Sequence, residues 1–268
     1  ELTMIQKLLD CGYATAKKIQ QCFHTEETTV EWDTETLTKA SKERALNLGI
    51  SEEVIKQLNI KTPSYTENII AFPVFMYGHL LDVRQYNPGG DPKIKSRSGC
   101  PTGLIIPFDD WVDTSLNKLT LLCAGEKDMA VARTHGFNAI TLTGGENTLP
   151  CQLSYFKDRV VAIVYDNDDT GKSGAIKVAN ALYKYTKHIK VVTNFHEVLE
   201  EKEDITDFFV KYKKTKEDLI AYIEATPWYD GEAEVPEKNY PVMDLLQASR
   251  PENIGKMVKS NVQIVAIS

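Results

Sequence analysis

No apolar run in the 268-residue chain approaches the roughly 20 residues of a membrane-spanning helix, and no signal peptide opens it. The five cysteines form no C-x-x-C pair, and their odd number does not favour a disulfide framework. Internal repeats and low-complexity tracts are also missing. These absences exclude an integral membrane protein and a disulfide-rich secreted protein, and they predict a cytoplasmic globular one.

Basic residues do not dominate the chain. Lys and Arg number 31 against 38 Asp and Glu, so the formal net charge is -7 at pH 7. This balance excludes a protein that coats nucleic acid through general positive charge, but it permits a local basic groove. Cys22 and His24 are not followed by a second ligand pair at zinc-finger spacing, so no zinc site is predicted.

The most informative segment is the apolar run 160–165, which ends in a cluster of carboxylates. Its β-branched residues predict a strand buried on both faces, and in α/β proteins the chemistry lies beyond the carboxyl ends of such strands. Alternate residues of an extended chain point the same way, so Asp166 and Asp168 are expected to share one hard cation such as Mg²⁺. The alternative is an ordinary acidic turn, since Asp, Asn and Gly are common turn residues.

Strands and helices alternate from about residue 116 to 226, which predicts a parallel sheet flanked by helices. We expect an α/β protein in four parts. These are a helical N-terminal segment (1–62), a smaller basic α/β subdomain (63–115), the parallel-sheet domain (116–226), and a linker with the start of a further module (227–268). Because the last residues resemble a strand without its partner, the chain is expected to be a segment of a longer polypeptide.

Cations alternate in the loop of the basic subdomain, at Lys93, Lys95 and Arg97. In an extended segment they share one face, and Arg84 on the preceding strand is expected to join them. Such a row suits the phosphates of a nucleotide triphosphate or of a nucleic-acid backbone. A solvated edge strand that uses lysines to prevent aggregation has the same pattern, so both interpretations remain open.

Acidic motifs follow three of the predicted strands, and the carboxyl ends of parallel strands meet at one edge of a sheet. The motif residues are Glu126 and Asp128, then Asp166 and Asp168, then Asp204 and Asp207. Together they predict one acidic metal site. Lys127 is interpreted as a solvated helix residue, and Asp128 as a residue favoured by the helix dipole.

These motifs resemble the Toprim domain, which topoisomerases share with primases of the bacterial and phage type. The matching segments are 124–128, 166–168 and 202–207. The likeness to primases extends to segment 45–55, similar to the helical entry of the primase core, and to Ile70–Val74, Gly78, Arg84 and Pro92–Lys93, similar to its basic subdomain. The resemblance covers about residues 40 to 225, and its joint specificity is high although each motif alone is weak.

The resemblance implies a DNA primase catalytic core that makes short RNA primers on single-stranded DNA by nucleotidyl transfer dependent on Mg²⁺ or Mn²⁺. The expected metal ligands are Asp166, Asp168 and Asp204. The expected catalytic residues are Glu126, Asp166 and Asp168. The expected nucleotide- or template-binding residues are Arg84, Lys93 and Lys95, and the structural residues of the motifs are Gly125, Asp128 and Gly171.

One position departs from the family pattern: the catalytic Glu before the glycine is Ala124 here. Glu126 or Glu146 is expected to compensate. Otherwise the chain is a diverged Toprim module that binds nucleic acid or nucleotide without catalysis, and a Toprim nuclease is a further alternative. The implied partners are single-stranded DNA, nucleoside triphosphates and a replicative helicase, fused or separate, in the cytoplasm of a bacterial host with a phage or plasmid origin. No membrane contact is expected.

Overall fold

The computed structural model describes residues 6, 13–24, 39–61, 69–76, 79–96, 99–108, 119–186, 188–231, 243–244 and 264–265. The chain divides into two compact units, Glu1–Ala233 and Glu234–Ser268. Most of the predicted linker and of the further module lies outside the described residues, as do Gly78 and Arg97. The domain boundaries drawn from the sequence stay predictions.

In the part of the chain that the structure describes, the first unit begins with three helices and five strands, and further helices and strands follow along the chain. Its helices are α1 Tyr13–His24, α2 Lys39–Asn47, α3 Glu52–Gln57, α4 Glu126–Thr134, α5 Asp169–Leu182, α6 Ile205–Val210 and α7 Lys216–Ala225. Its strands are β1 Ile70–Met76, β2 His79–Tyr86, β3 Ile94–Lys95, β4 Ile105–Ile106, β5 Leu119–Cys123, β6 Asn138–Leu142, β7 Val160–Val164 and β8 Ile189–Val191. Among the described residues, no helix has both the length and the apolar character that crossing a membrane requires. In the second unit, β9 Met243–Asp244 pairs in parallel with β10 Ile264–Val265.

A five-stranded sheet forms the centre of the first unit, in the order β4-β6-β5-β7-β8. Strands β5 to β8 are parallel, and β4 pairs antiparallel with β6 at one edge. The predicted α/β class with a parallel sheet is therefore confirmed. Strand β5 lies between β6 and β7. The connection from β5 to β6 therefore runs to one side of β5, and the connection from β6 to β7 returns across β5 to its other side. A crevice forms at the carboxyl ends of strands where such crossovers diverge.

Helices cover both faces of this sheet because alternate strand residues point to opposite sides. Leu121 packs into one core cluster with α4, α6 and α7, whereas the adjacent Leu122 packs into a second cluster with α5. Both side chains have no exposed surface. Burial on both faces explains why the strands read as continuous apolar runs.

A three-stranded antiparallel sheet, in the order β1-β2-β3, precedes the parallel sheet. Ala16 and Ile19 of α1 pack on it, in a cluster that also contains Ile106 of β4. Strand β4 belongs to the basic subdomain predicted from the sequence, yet its backbone pairs with β6 of the parallel sheet. The two parts are thus joined by backbone hydrogen bonds, which no local sequence pattern indicated.

Candidate metal centre

Three carboxylates converge at the carboxyl edge of the parallel sheet. One oxygen each from Asp128, Asp166 and Asp204 lies within 4.8 Å of the others. Asp128 lies in the first turn of α4 after β5, Asp166 follows β7, and Asp204 caps α6 after β8. Parallel strands bring these three crossovers to one edge, so residues separated by up to 76 positions (204 minus 128) become neighbours.

Hydrogen bonds hold two of the carboxylates in place. Asp128 Oδ1 accepts from the Thr206 hydroxyl at 2.6 Å. Asp204 Oδ1 accepts from the backbone N–H groups of Thr206 at 2.8 Å and Asp207 at 3.2 Å, as half of a capping box. In contrast, Asp166 Oδ1 is buried and has no hydrogen-bond partner among the described residues. A buried carboxylate oxygen without a donor is costly unless a cation contacts it.

A lysine ammonium lies inside this acidic group. Lys127 Nζ is 2.6 Å from Asp204 Oδ2 and 3.4 Å from Asp128 Oδ1, and its side chain is only 17% exposed. The interpretation of Lys127 as a solvated helix residue is therefore wrong. Nothing in the local sequence signals this contact, because its partner Asp204 arrives from a distant crossover.

Burial, followed by electrostatic repulsion, raises the pKa of two of these carboxyl groups, Asp166 and Asp128. Burial raises the pKa of Asp166, and the charges of Asp128, Glu146 and Asp204 raise it further. The pKa of Asp128 is also raised, first by burial and then by Asp204, although Lys127 and the Thr206 hydrogen bond oppose the shift. Burial alone would lower the pKa of Lys127, but Asp128 and Asp204 outweigh it and the net shift is upward. Oxygen donors crowded in this way suit Mg²⁺ or Mn²⁺, whose charge offsets the repulsion.

Asp168 is not one of the three carboxylates of this group, and the expectation that it shares a cation with Asp166 stays a prediction. Its Oδ1 accepts a 2.7 Å hydrogen bond from Gly171 N and caps α5. In place of the predicted set of Asp166, Asp168 and Asp204, the structure groups Asp128 with Asp166 and Asp204. At Gly171 a Cβ atom would lie 2.3 Å from the Asp166 carbonyl oxygen, so the close backbone approach requires glycine.

Glu126 is not part of the acidic group and forms a buried ion pair instead. Its Oε1 is 2.5 Å from Arg84 Nε, with side chains 3% and 9% exposed respectively. Arg84 also donates to the Ser96 hydroxyl. Ala124 is buried among apolar side chains at the end of β5. The pair thus connects β2 of the antiparallel sheet to α4 of the parallel-sheet domain.

The predicted row of cations does not form with Arg84. Lys95 lies directly opposite Gln85 in the β2–β3 pair, so Lys95 and Arg84 lie on opposite faces. Lys93 and Lys95 are exposed, whereas Arg84 is buried. Among the described residues of this row, Lys93 and Lys95 are therefore the ones that lie at the surface, where they can contact phosphates.

Glu146, the other acid expected to compensate for Ala124, lies beside Asp166. Its Oε1 accepts a 3.1 Å hydrogen bond from Asp166 N. Burial raises the pKa of Glu146, and the carboxylates of Asp168 and Asp204 raise it further, while the Asp166 hydrogen bond opposes the shift. Of the two candidate acids, Glu146 is the one that contacts the Asp166 loop.

Solved structures with similar folds are primase catalytic domains. A DnaG primase catalytic domain bound to single-stranded DNA has a TM-score of 0.57 and 15% identity, over 81% of this chain and 84% of that chain. The Aquifex aeolicus primase (zinc-binding and RNA polymerase domains) has a TM-score of 0.55 and 14% identity, over 85% of this chain and 70% of that chain. The E. coli primase catalytic core has a TM-score of 0.54 and 15% identity, over 74% of this chain and 76% of that chain.

No family model and no curated protein matches the sequence. At identities of 14–15% the likeness to these structures extends to the fold alone. This chain therefore has the Toprim-type primase fold that its sequence motifs predicted.

Proposed function

We propose that this protein is a DNA primase that polymerises ribonucleotides on a single-stranded DNA template. The observation that carries the proposal is the group of Asp128, Asp166 and Asp204 at the carboxyl edge of a primase-type sheet. Carboxylates so arranged are the ligand set that Mg²⁺-dependent phosphoryl transfer needs. The solved relative described as bound to single-stranded DNA supports the choice of template.

The roles follow from the contacts. Asp128, Asp166 and Asp204 would hold Mg²⁺ or Mn²⁺, which supplies positive charge to the triphosphate and to the leaving pyrophosphate. The Thr206 hydroxyl fixes Asp128, and the α6 capping box fixes Asp204, so their oxygens stay oriented without reorganisation. Exposed Lys93 and Lys95 would bind template or nucleotide phosphates. Base pairing with the template selects the incoming nucleotide.

Glu146 is the proposed replacement for the acid missing at Ala124. Its carboxylate contacts the backbone of Asp166 and is half-buried, which supports a role as general base or metal-orienting acid. Glu126 is unsuited to this role because its carboxylate is occupied by Arg84. Arg84 accordingly acts as an interdomain clamp in this proposal rather than as a direct phosphate ligand.

A second candidate function is a binding module that has lost catalysis, and the specific observation that favours it is Ala124 in the position of the family's Glu. A nuclease with the same acidic group is a third. A helicase partner, fused or separate, stays a prediction.

The test is ribonucleotide incorporation on single-stranded DNA of mixed sequence with Mg²⁺ or Mn²⁺. We expect short primers from the wild-type protein and a reduction of at least about a hundredfold for Asp166→Asn, because one charged metal ligand is removed. Asp169→Asn is the matched control, since Asp169 is exposed three residues further on. DNA binding without incorporation would favour the binding module, and shortening of the template would favour the nuclease.

A further inference from the structure

The ammonium of Lys127 occupies carboxylate oxygens that a metal ion would use. It contacts Asp204 Oδ2 and Asp128 Oδ1, which belong to two of the three clustered carboxylates. The third, Asp166, keeps a buried oxygen without a partner among the described residues. The three carboxylates therefore already bind one cation, the Lys127 ammonium, while the buried oxygen of Asp166 has no partner among the described residues.

This contact differs from an ordinary surface ion pair. Lys211 also bridges two acids, but its side chain is 45% exposed, and its partners Glu200 and Glu203 are 76% and 14% exposed. Lys127 and Asp204 are 17% and 13% exposed, so solvent screens their attraction much less. An ammonium held this closely lowers the attraction of the same carboxylates for a second cation.

The formal charge of the site also shows that Lys127 weakens its attraction for a metal ion. Three carboxylates and one ammonium carry a formal charge of -2 (three negative, one positive), which a single divalent cation neutralises. Without the ammonium the same group would carry -3 and would attract a divalent cation more strongly. Lys127 thus reduces the charge available to bind metal while it keeps Asp128 and Asp204 together.

We propose that Lys127 is a built-in counter-ion that competes with the divalent cation for Asp128 and Asp204. In the metal-free protein its ammonium bridges α4 to the start of α6, and the entering metal displaces it from at least one carboxylate. The inference rests on the proposed metal-dependent function of this site. It assigns Lys127 a positioning role that makes metal affinity weaker than the three acids alone would give.

The test is Mn²⁺ binding to the whole chain, measured from the electron paramagnetic resonance signal of free Mn²⁺ during titration. Lys127→Met is expected to bind Mn²⁺ at least about tenfold more tightly than the wild type, because the competing charge is gone. Lys127→Gln keeps a hydrogen-bond donor towards Asp204 and is expected to bind more tightly too. It carries the test if the Met variant does not fold. Lys211→Met is the control and should bind as the wild type does.

Unchanged or weaker Mn²⁺ binding by Lys127→Gln would overturn the proposal. A gain in Mn²⁺ affinity by Lys211→Met as large as that of the Lys127 variants would overturn it too. Primer synthesis by the wild type separates this result from the function itself. If primers are made but the Lys127 variants gain no affinity, the counter-ion role fails and the primase function stands. If the variants gain affinity while no primers are made, the counter-ion role stands and the primase function fails.

Discussion

The acidic edge of the parallel sheet and the cationic strand pair β2–β3 differ in how their charges are gathered. At the acidic edge, residues from three separate crossovers place oxygens within 4.8 Å of one another. In the strand pair, Arg84 and Lys95 belong to adjacent hydrogen-bonded strands, yet they lie on opposite faces. Proximity along the sequence was therefore a poorer guide to contact than sheet topology.

The physical reason lies in the two kinds of sheet. Every parallel strand ends at the same edge, so acids that follow several strands are brought to one edge whatever the length of the crossovers. In an antiparallel pair, a shift of one residue in register moves a side chain to the other face. The turn that sets the β2–β3 register could not be inferred from the alternation of Lys93 and Lys95 alone.

The strongest test of the acidic edge compares Asp128→Asn with Asp168→Asn. We expect the first to lower primer synthesis at least about a hundredfold, since it removes a charged oxygen from the cluster. The second should leave synthesis within a fewfold of wild type, because Asn caps a helix about as well as Asp. The measurement is the initial rate at saturating Mg²⁺. If both variants reduced the rate of primer synthesis equally, Asp168 would be a metal ligand as well.

The cationic side is tested through the buried Arg84–Glu126 pair. Arg84→Met leaves a carboxylate buried without its partner, and we expect it to cost about 3–5 kcal/mol of unfolding free energy in urea titrations. Lys42→Met, which breaks the exposed Lys42–Glu52 pair, should cost at most about 1 kcal/mol. The double variant Arg84→Met with Glu126→Met should recover most of the stability. A double variant as unstable as the single one would show that Arg84 acts through other interactions.

The smallest effect is expected at the exposed lysines. Lys93→Ala with Lys95→Ala should weaken single-stranded DNA binding and reduce its log–log salt slope by about 1.4, or about 0.7 for each phosphate that is no longer neutralised. Fluorescence anisotropy at several salt concentrations measures this. Lys157→Ala with Lys184→Ala removes two other exposed lysines and should leave the slope unchanged. If both double variants behave alike, the lysines before and within β3 are only a solvated edge.

Individual residues show where sequence reasoning succeeded and where it lacked information. Asp166 was placed correctly at a strand tip because a doubly buried strand has a distinctive apolar run that ends abruptly. Asp128 was interpreted as a helix-dipole residue, since an acid in a first turn is common for that reason alone. Asp168 carries a second signal besides that of a metal ligand, because it directly precedes a helix, where Asp is a preferred cap.

The alternation of strands and helices, the parallel sheet and the edge at which its acids lie can be inferred from the amino-acid sequence, because they depend on local periodicity and on rules for crossovers. The tertiary structure alone decided which acids touch, that Lys127 is enclosed by two of them, and that Glu126 is taken by Arg84. Each of those contacts joins side chains from segments far apart in the chain. Their distances depend on strand order, register and helix packing, which no single segment encodes.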